Sequence, residues 1–165
     1  MNLQEAAAHA NELADAGDER AVADLRREWD DELEGFARDR DYRNRAVAYR
    51  AIGQFRYRQK LELLQRGLED ESPACRGSAL VSLELLSRDH PAPVNQARRT
   101  LQDMATDDEN EAVRRLAIMC LKNGSGQRES ILILEGLADD DEQSRELRDA
   151  AKKVAALLTK KSRAK

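Results

Sequence analysis

The residue types that most often perform catalysis or bind metal ions are few and scattered in this chain of 165 residues. The two cysteines, Cys75 and Cys120, form no C-x-x-C motif, and the two histidines, His9 and His90, lie at no usual ligand spacing from them. Both cysteines fall on apolar helical stripes, where a free cysteine behaves as a small hydrophobic residue. We therefore expect core cysteines, with a reactive thiol as the alternative, and no catalytic residue, metal site or cofactor.

Two acidic runs and one glycine-rich segment could in principle bind ions or phosphates. The runs Asp107–Glu109 and Asp139–Glu142 lack the alternating ligands and the turn glycine of a calcium loop. We expect them in turns before helices, because negative charge stabilises a helix N-terminus. Gly124-Ser125-Gly126 lacks the lysine that follows a phosphate-binding loop and the strand that precedes it.

Charge is distributed unevenly along the chain, whose net charge is −4. Residues 1–37 have a net charge of −8 and residues 38–66 a net charge of +6, and the basic segment also contains four of the six aromatic residues. Arginine and tyrosine are enriched at binding hot spots. The residues that we expect to contact a partner are Arg43, Tyr49, Arg50 and Tyr57.

Helical spacing is the basis for choosing these contacts. Arg43 and Arg50 are seven residues apart, as are Tyr42 and Tyr49, so each pair shares a helix face that the buried stripe is expected to leave exposed. Alternatively, the basic segment neutralises the acidic helix around Glu28–Glu34. Basic residues interleaved with aromatics can also bind nucleic acid, but a pI of about 5.4 disfavours that interpretation.

The chain contains an internal repeat that predicts its architecture. Four arginines are each followed three residues later by alanine, at intervals of 31, 38 and 34 residues: Arg45, Arg76, Arg114 and Arg148. Four residues before them stand residues that can cap a helix, Asp41, Ser72, Asn110 and Ser144, and Pro73 suits the first helical position. These positions predict four helix starts.

Apolar stripes at helical spacing occur both within and before these four helices, so the sequence predicts four helical hairpins. A further helix over Leu3–Ala14 is expected to cover the first hairpin. We therefore predict an all-α single domain of about nine helices, with a capping helix in residues 1–18, repeats in 19–158 and a basic tail in 159–165. Long helical stacks of this kind need polar outer faces on their terminal units.

The repeated segments resemble the HEAT repeat, in particular its short bacterial form. The stretch Asp70–Leu83 is similar to the family's acidic turn, Pro, Val-Arg and Ala-Leu pattern, with Cys75 in the Val position, and Val113-Arg114 keeps the Val-Arg pair. Asn44 and Leu147 replace that Val in the first and last units. The resemblance implies a right-handed α-α superhelix in which Arg45, Arg76, Arg114 and Arg148 are structural and bond to residues of adjacent turns.

These observations favour a non-enzymatic protein-interaction or scaffold module with a protein partner that the sequence does not identify. The alternative is a HEAT-like nucleic-acid-binding protein, or a component resembling the alkylated-base glycosylases or bilin lyases, and Trp29 on a stripe expected to be buried disfavours the glycosylases. No signal peptide, transit peptide or apolar span is found, so we expect a soluble, cytoplasmic protein without a membrane span. The sequence leaves the oligomeric state open.

Overall fold

The computed structural model describes residues 1–164, and over that range it consists of helices and turns without a β-strand. The predicted all-α fold class is therefore confirmed. The described residues form ten α-helices: α1 (Leu3–Asp15), α2 (Glu19–Ala37), α3 (Tyr42–Gln54), α4 (Leu61–Leu68), α5 (Pro73–Ser87), α6 (Ala92–Gln96), α7 (Arg98–Asp107), α8 (Glu111–Leu121), α9 (Arg128–Ala138) and α10 (Arg145–Arg163). None of these helices is long and apolar enough to cross a membrane.

The chain forms two compact units, one from Met1 to Leu86 and the other beginning at Ser87. In the first unit, α1 packs against both α2 and α3, and α3 also contacts α4. In the second unit, α8 packs against α7 and α10, and α9 packs against α10. Each unit has its own core of Leu, Ala, Ile and Val side chains, as the apolar stripes require.

The capping residues predicted for three helices make the expected hydrogen bonds. Asp41 accepts a hydrogen bond from the Arg43 amide, Asn110 from the Val113 amide and Ser144 from the Leu147 amide. A cap of this kind satisfies an amide that has no partner within the helix and contributes about 1 kcal/mol. α5 begins at Pro73, as its sequence predicts.

The N-terminal helix begins with a capping box that the sequence analysis missed. The Asn2 side chain accepts from the Glu5 amide at 2.8 Å, while the Glu5 carboxylate accepts from the Asn2 amide at 3.0 Å. α1 then ends at a turn in which Gly17 has a φ of +81°, a conformation that costs glycine little because it lacks a Cβ. Asp18 caps the next helix, so the chain reverses within three residues.

The apolar stripe before the third capped helix, Val94, Ala97, Leu101 and Met104, is divided between two helices. The break lies at Ala97, where ψ is 6°, and it gives ten helices in the described residues where about nine were predicted. The short helix before the break is held by tertiary contacts. The Asn95 side-chain oxygen accepts from the Ser125 amide, and its nitrogen donates to the Ser125 hydroxyl, each at 2.9 Å. These bonds tie α6 to the segment that precedes α9.

The residues predicted to form a basic tail belong largely to α10, which continues to Arg163. Lys161 explains part of this extension, because its ammonium group donates to the backbone carbonyls of Lys122 and Gly124. Removal of that ammonium from water lowers the pKa of Lys161. Lys165, the last predicted tail residue, lies outside the described residues.

Trp29 of α2, expected on a buried stripe, is half-buried.

A serine hydroxyl joins α5 to the backbone of α3 in the first unit. Ser82 is fully buried, and its hydroxyl accepts from the Gly53 amide at 2.9 Å and donates to the Tyr49 carbonyl. The two helices approach so closely that a Cβ added to Gly53 would lie 2.7 Å from the Ser82 Cα. Glycine at position 53 is therefore required by the packing.

Replacement of Gly53 by alanine is expected to lower the free energy of unfolding by about 1 to 3 kcal/mol, because α3 and α5 must separate to admit the methyl group. Urea denaturation measures the change. The matched control is Gly35→Ala, since an added Cβ there meets no atom within 4 Å and should be neutral or slightly stabilising. Equal stability of the two variants would contradict the packing assigned to Ser82.

Candidate functional site

The predicted structural arginines bond to the turns that precede their own helices. The Arg45 guanidinium donates to the carbonyls of Asp39 at 3.0 Å and Arg40 at 2.9 Å. Two later arginines donate to the carbonyl at the same offset, six residues earlier, in the pairs Arg76 to Asp70 at 2.9 Å and Arg114 to Asp108 at 2.6 Å. One side chain thus holds each turn against the first turn of the following helix.

An aspartate completes each of these three turns, and the sequence analysis did not identify it. Asp39, Asp70 and Asp108 each stand two residues before a capping residue, and each accepts a hydrogen bond from the amide of that residue at 2.8 to 2.9 Å. The signal was available in the sequence, because aspartate recurs at one fixed offset from cap and arginine. Asx turns of this type fix the chain direction before a helix.

The fourth unit departs from this pattern. Its turn is longer, and Asp140 accepts from the Glu142 amide rather than from the capping Ser144. Arg148 contacts the exposed Asp141 carboxylate at 3.6 Å, and its Nε is buried without a hydrogen-bond partner in residues 1–164. The arginine is therefore less firmly bonded in the last unit than in the first.

Arg45 also forms a two-point ion pair with Asp70 in the next turn along the chain. The donor–acceptor distances are 2.9 and 3.0 Å, and the side chains are only 14% and 7% exposed. Burial alone would raise the pKa of Asp70, but the hydrogen bonds from Arg45 and from the Ser72 amide outweigh it and lower the pKa. Hydrogen bonds from the Arg45 guanidinium and from the Ser72 amide thus keep Asp70 in its charged form.

This ion pair forms one wall of a groove in the first unit with a volume of about 410 Å³. We call it the Tyr49 groove; its lining residues are Ala37, Arg38, Arg45, Tyr49, Arg66, Asp70 and Glu71. The groove lies where the end of α2, the side of α3 and the end of α4 meet. Three guanidinium groups and a phenol therefore line one concave surface.

Tyr49 is placed differently from the sequence prediction, which assigned it to an exposed face. It is only 2% exposed, and a Cβ added to Gly67 of α4 would lie 3.0 Å from its ring. The prediction is wrong because α4 covers this side of α3, which the spacing of seven residues within α3 cannot reveal. Burial raises the pKa of the Tyr49 hydroxyl, and the nearby Asp70 carboxylate adds to this effect.

Arg43 and Arg50, the other two contacts predicted on α3, are exposed and share one side of the helix, which we call the α3 arginine face. Arg43 pairs with Asp41 at two points but remains 77% exposed. Arg50 has no ion pair or side-chain hydrogen bond within residues 1–164. This face therefore presents a guanidinium with no internal partner.

Tyr57 bonds within the protein, to the acidic helix α2. It is half-buried, and its hydroxyl donates to the Asp30 carboxylate at 2.8 Å. Lys60 lies 5.0 Å from the centre of the Tyr57 ring and pairs with both Asp30 and Glu34. The hydrogen bond from Lys60 is the main cause of a lowered pKa at Asp30. This part of the basic segment neutralises the acidic α2, as the alternative interpretation of the sequence expected.

The remaining candidates for chemistry are isolated from one another. Cys75 and Cys120 are buried, and burial raises the pKa of the Cys75 thiol. His9 and His90 are exposed. No group of three or more His, Cys, Asp or Glu side chains in residues 1–164 is arranged to hold a metal ion.

Comparison with protein-family models and with characterised proteins identifies no relative of this chain. No protein-family model matches the chain, and a search of characterised proteins finds no significant match. The arginine-bonded turns and the two surfaces of the first unit are thus the observations on which a function can be argued.

Replacement of Asp70 by asparagine is expected to lower the free energy of unfolding by about 1 to 3 kcal/mol, because Arg45 loses its charged partner in a partly buried site. Chemical denaturation at neutral pH measures this loss. The control is Glu71→Gln in the same turn, since Glu71 is 92% exposed and 3.9 Å from Arg45. Its effect should stay below about 0.5 kcal/mol, and a comparable loss in both variants would contradict the role of Asp70.

Acid should destabilise the protein through the same carboxylate. The folded-state pKa of Asp70 is lowered, so the stability it contributes is present above the unfolded pKa of roughly 3.9 and is lost as the pH falls through the folded value. The free energy of unfolding, measured between pH 7 and pH 2.5, should decline less steeply below pH 4 for Asp70→Asn than for the unmodified chain. Parallel declines would assign the acid sensitivity to other groups.

Proposed function

We propose that this chain is a HEAT-like, non-enzymatic interaction module that binds a protein partner through the α3 arginine face. The observation that carries the proposal is the exposed Arg50 guanidinium, which has no internal partner in residues 1–164 and lies on the same side of α3 as Arg43. Arginine is enriched at interface hot spots because its planar group makes several hydrogen bonds at once.

Internal ion pairs neutralise much of the positive charge of residues 38–66. The α3 arginine face is therefore separate from most of the basic segment. Arg45 pairs with Asp70, Arg56 with Asp15, and Lys60 with Asp30 and Glu34. The net charge of +6 in residues 38–66 therefore overstates the positive charge offered to a partner. We infer that the partner presents a small acidic surface, matched to a few guanidinium groups rather than to a continuous basic patch.

The HEAT-like assignment is supported by the recurrence of arginine-bonded turns before α3, α5 and α8. The resemblance in sequence implied this role for the arginines, and modules built from such hairpins act by offering extended surfaces to partners. The acidic composition of the chain, with a pI of about 5.4, favours a protein partner over nucleic acid. The cytoplasm remains the compartment that we propose.

Reversal of charge at both positions, Arg43→Glu with Arg50→Glu, should abolish partner capture while leaving the melting temperature nearly unchanged. The unmodified chain and the variant are used as baits in nuclease-treated lysate, captured proteins are identified, and the interaction is then measured with the purified partner by calorimetry. Nuclease treatment removes proteins that are bridged by nucleic acid.

The control variant, Arg99→Glu with Arg128→Glu, reverses the charge of two exposed arginines outside the first unit. It should bind the purified partner like the unmodified chain. Undiminished binding by the α3 variant would place the contact elsewhere, and capture that disappears on nuclease treatment would instead support the nucleic-acid-binding alternative.

A further inference from the structure

We propose that the Tyr49 groove is a binding site for a phosphate group, held by Arg66, Arg38 and the Tyr49 hydroxyl. The site is distinct from the α3 arginine face: Arg43 and Arg50 are not among the residues that line the groove. It does not depend on the proposed partner binding.

The Tyr49 hydroxyl is the first observation that points to a ligand. Tyr49 is only 2% exposed, and its hydroxyl has no hydrogen-bond partner among residues 1–164. Because Tyr49 lines the groove, the surface that it retains faces this opening. An acceptor bound in the groove would give this hydroxyl a hydrogen-bond partner.

Two guanidinium groups of the groove are available to an anion. Arg66 is exposed and has no ion pair or side-chain hydrogen bond within the described chain. Arg38 is 69% exposed, and its ion pair with Glu34 is long, at 3.6 Å. Guanidinium groups donate parallel hydrogen bonds that match phosphate oxygens.

The acidic residues of the groove do not cancel this charge. Asp70 is bonded at two points to Arg45 and also accepts from the Ser72 amide, so its charge is matched internally. Glu71 is 92% exposed and is free to turn towards solvent. Two arginines and a neutral phenol then remain, which suits a group with a charge of about −1.5 to −2 at neutral pH.

Tyr49 is held in place by a glycine, which makes the groove a preformed feature. A Cβ added to Gly67 would meet the Tyr49 ring at 3.0 Å and the Ala79 side chain at 2.8 Å. The ring therefore packs against α4, and this packing sets the position of the hydroxyl. A ligand that accepts from this hydroxyl needs no rearrangement of the core.

Titration with inorganic phosphate at constant ionic strength, followed by amide chemical shifts, tests the proposal. The unmodified chain should show saturable shifts in α3 and α4, and sodium chloride should not reproduce them. Arg66→Gln should weaken binding at least tenfold, and Tyr49→Phe, which removes only the hydroxyl, should weaken it about tenfold, equivalent to about 1.4 kcal/mol. Without phosphate, Tyr49→Phe should be as stable as the unmodified chain, because no protein hydrogen bond is lost.

Two control variants complete the test. Tyr42→Phe removes a hydroxyl from the same helix at a 50% exposed position, and Arg99→Gln removes an exposed arginine elsewhere; both should bind phosphate normally. Linear, unsaturable shifts with inorganic phosphate, with a small phosphomonoester and with a phosphoserine peptide, or equal phosphate affinity in Tyr49→Phe and the unmodified chain, would overturn the proposal. Charge reversal at Arg43 and Arg50 should leave phosphate binding intact, which separates this site from the proposed function.

The same titration distinguishes two sources of the phosphate. If the ligand is a free phosphate compound, inorganic phosphate and a small phosphomonoester should bind with similar affinity. If the ligand is a phosphorylated side chain, a phosphoserine peptide should bind more tightly than inorganic phosphate, and the unphosphorylated peptide should not bind. Either result supports the site, and failure of all three phosphate probes overturns it.

Discussion

The structure depends most on the hydrogen bonds between an arginine in the first turn of a helix and the backbone carbonyls of the turn before it. Carbonyls in a connecting turn have no helical partner, so a buried turn requires donors from elsewhere. A guanidinium group supplies several donors in one rigid plane, which allows one residue to satisfy more than one carbonyl. At Arg45 the same group also reaches the aspartate of the following turn. In the first unit, the Arg45 side chain thus bonds both to the turn before α3 and to the turn before α5.

Much of the fold could be predicted from local sequence signals, because the information that defines a helix start lies within a few residues. Asp41, Asn110 and Ser144 were recognisable as caps, and Pro73 marked the start of its helix, all from short-range chemistry. The break at Ala97 was not predictable in this way. It accompanies bonds between Asn95 and Ser125, which are thirty residues apart in the chain.

The candidate sites show the same division between local and distant information. Arg43 and Arg50 are exposed as expected, because helical periodicity alone places them on one side of α3. Tyr49 is buried, contrary to expectation, and Tyr57 bonds to α2, because other helices determine the surroundings of both side chains. Gly67 of α4 admits the Tyr49 ring, and Asp30 of α2 accepts from the Tyr57 hydroxyl. Neither neighbour can be identified from the spacing within the basic segment.

The contact between Ser82 and α3 has a consequence for how this surface can change over evolutionary time. The Ser82 hydroxyl bonds to main-chain atoms of α3, namely the carbonyls of Tyr49 and Arg50 and the amide of Gly53. Main-chain atoms are retained whatever side chain occupies position 50. The attachment of α3 to α5 therefore places no demand on the identity of that exposed residue, and substitutions there can change the chemistry of the exposed side of α3 while the helix pair keeps its spacing.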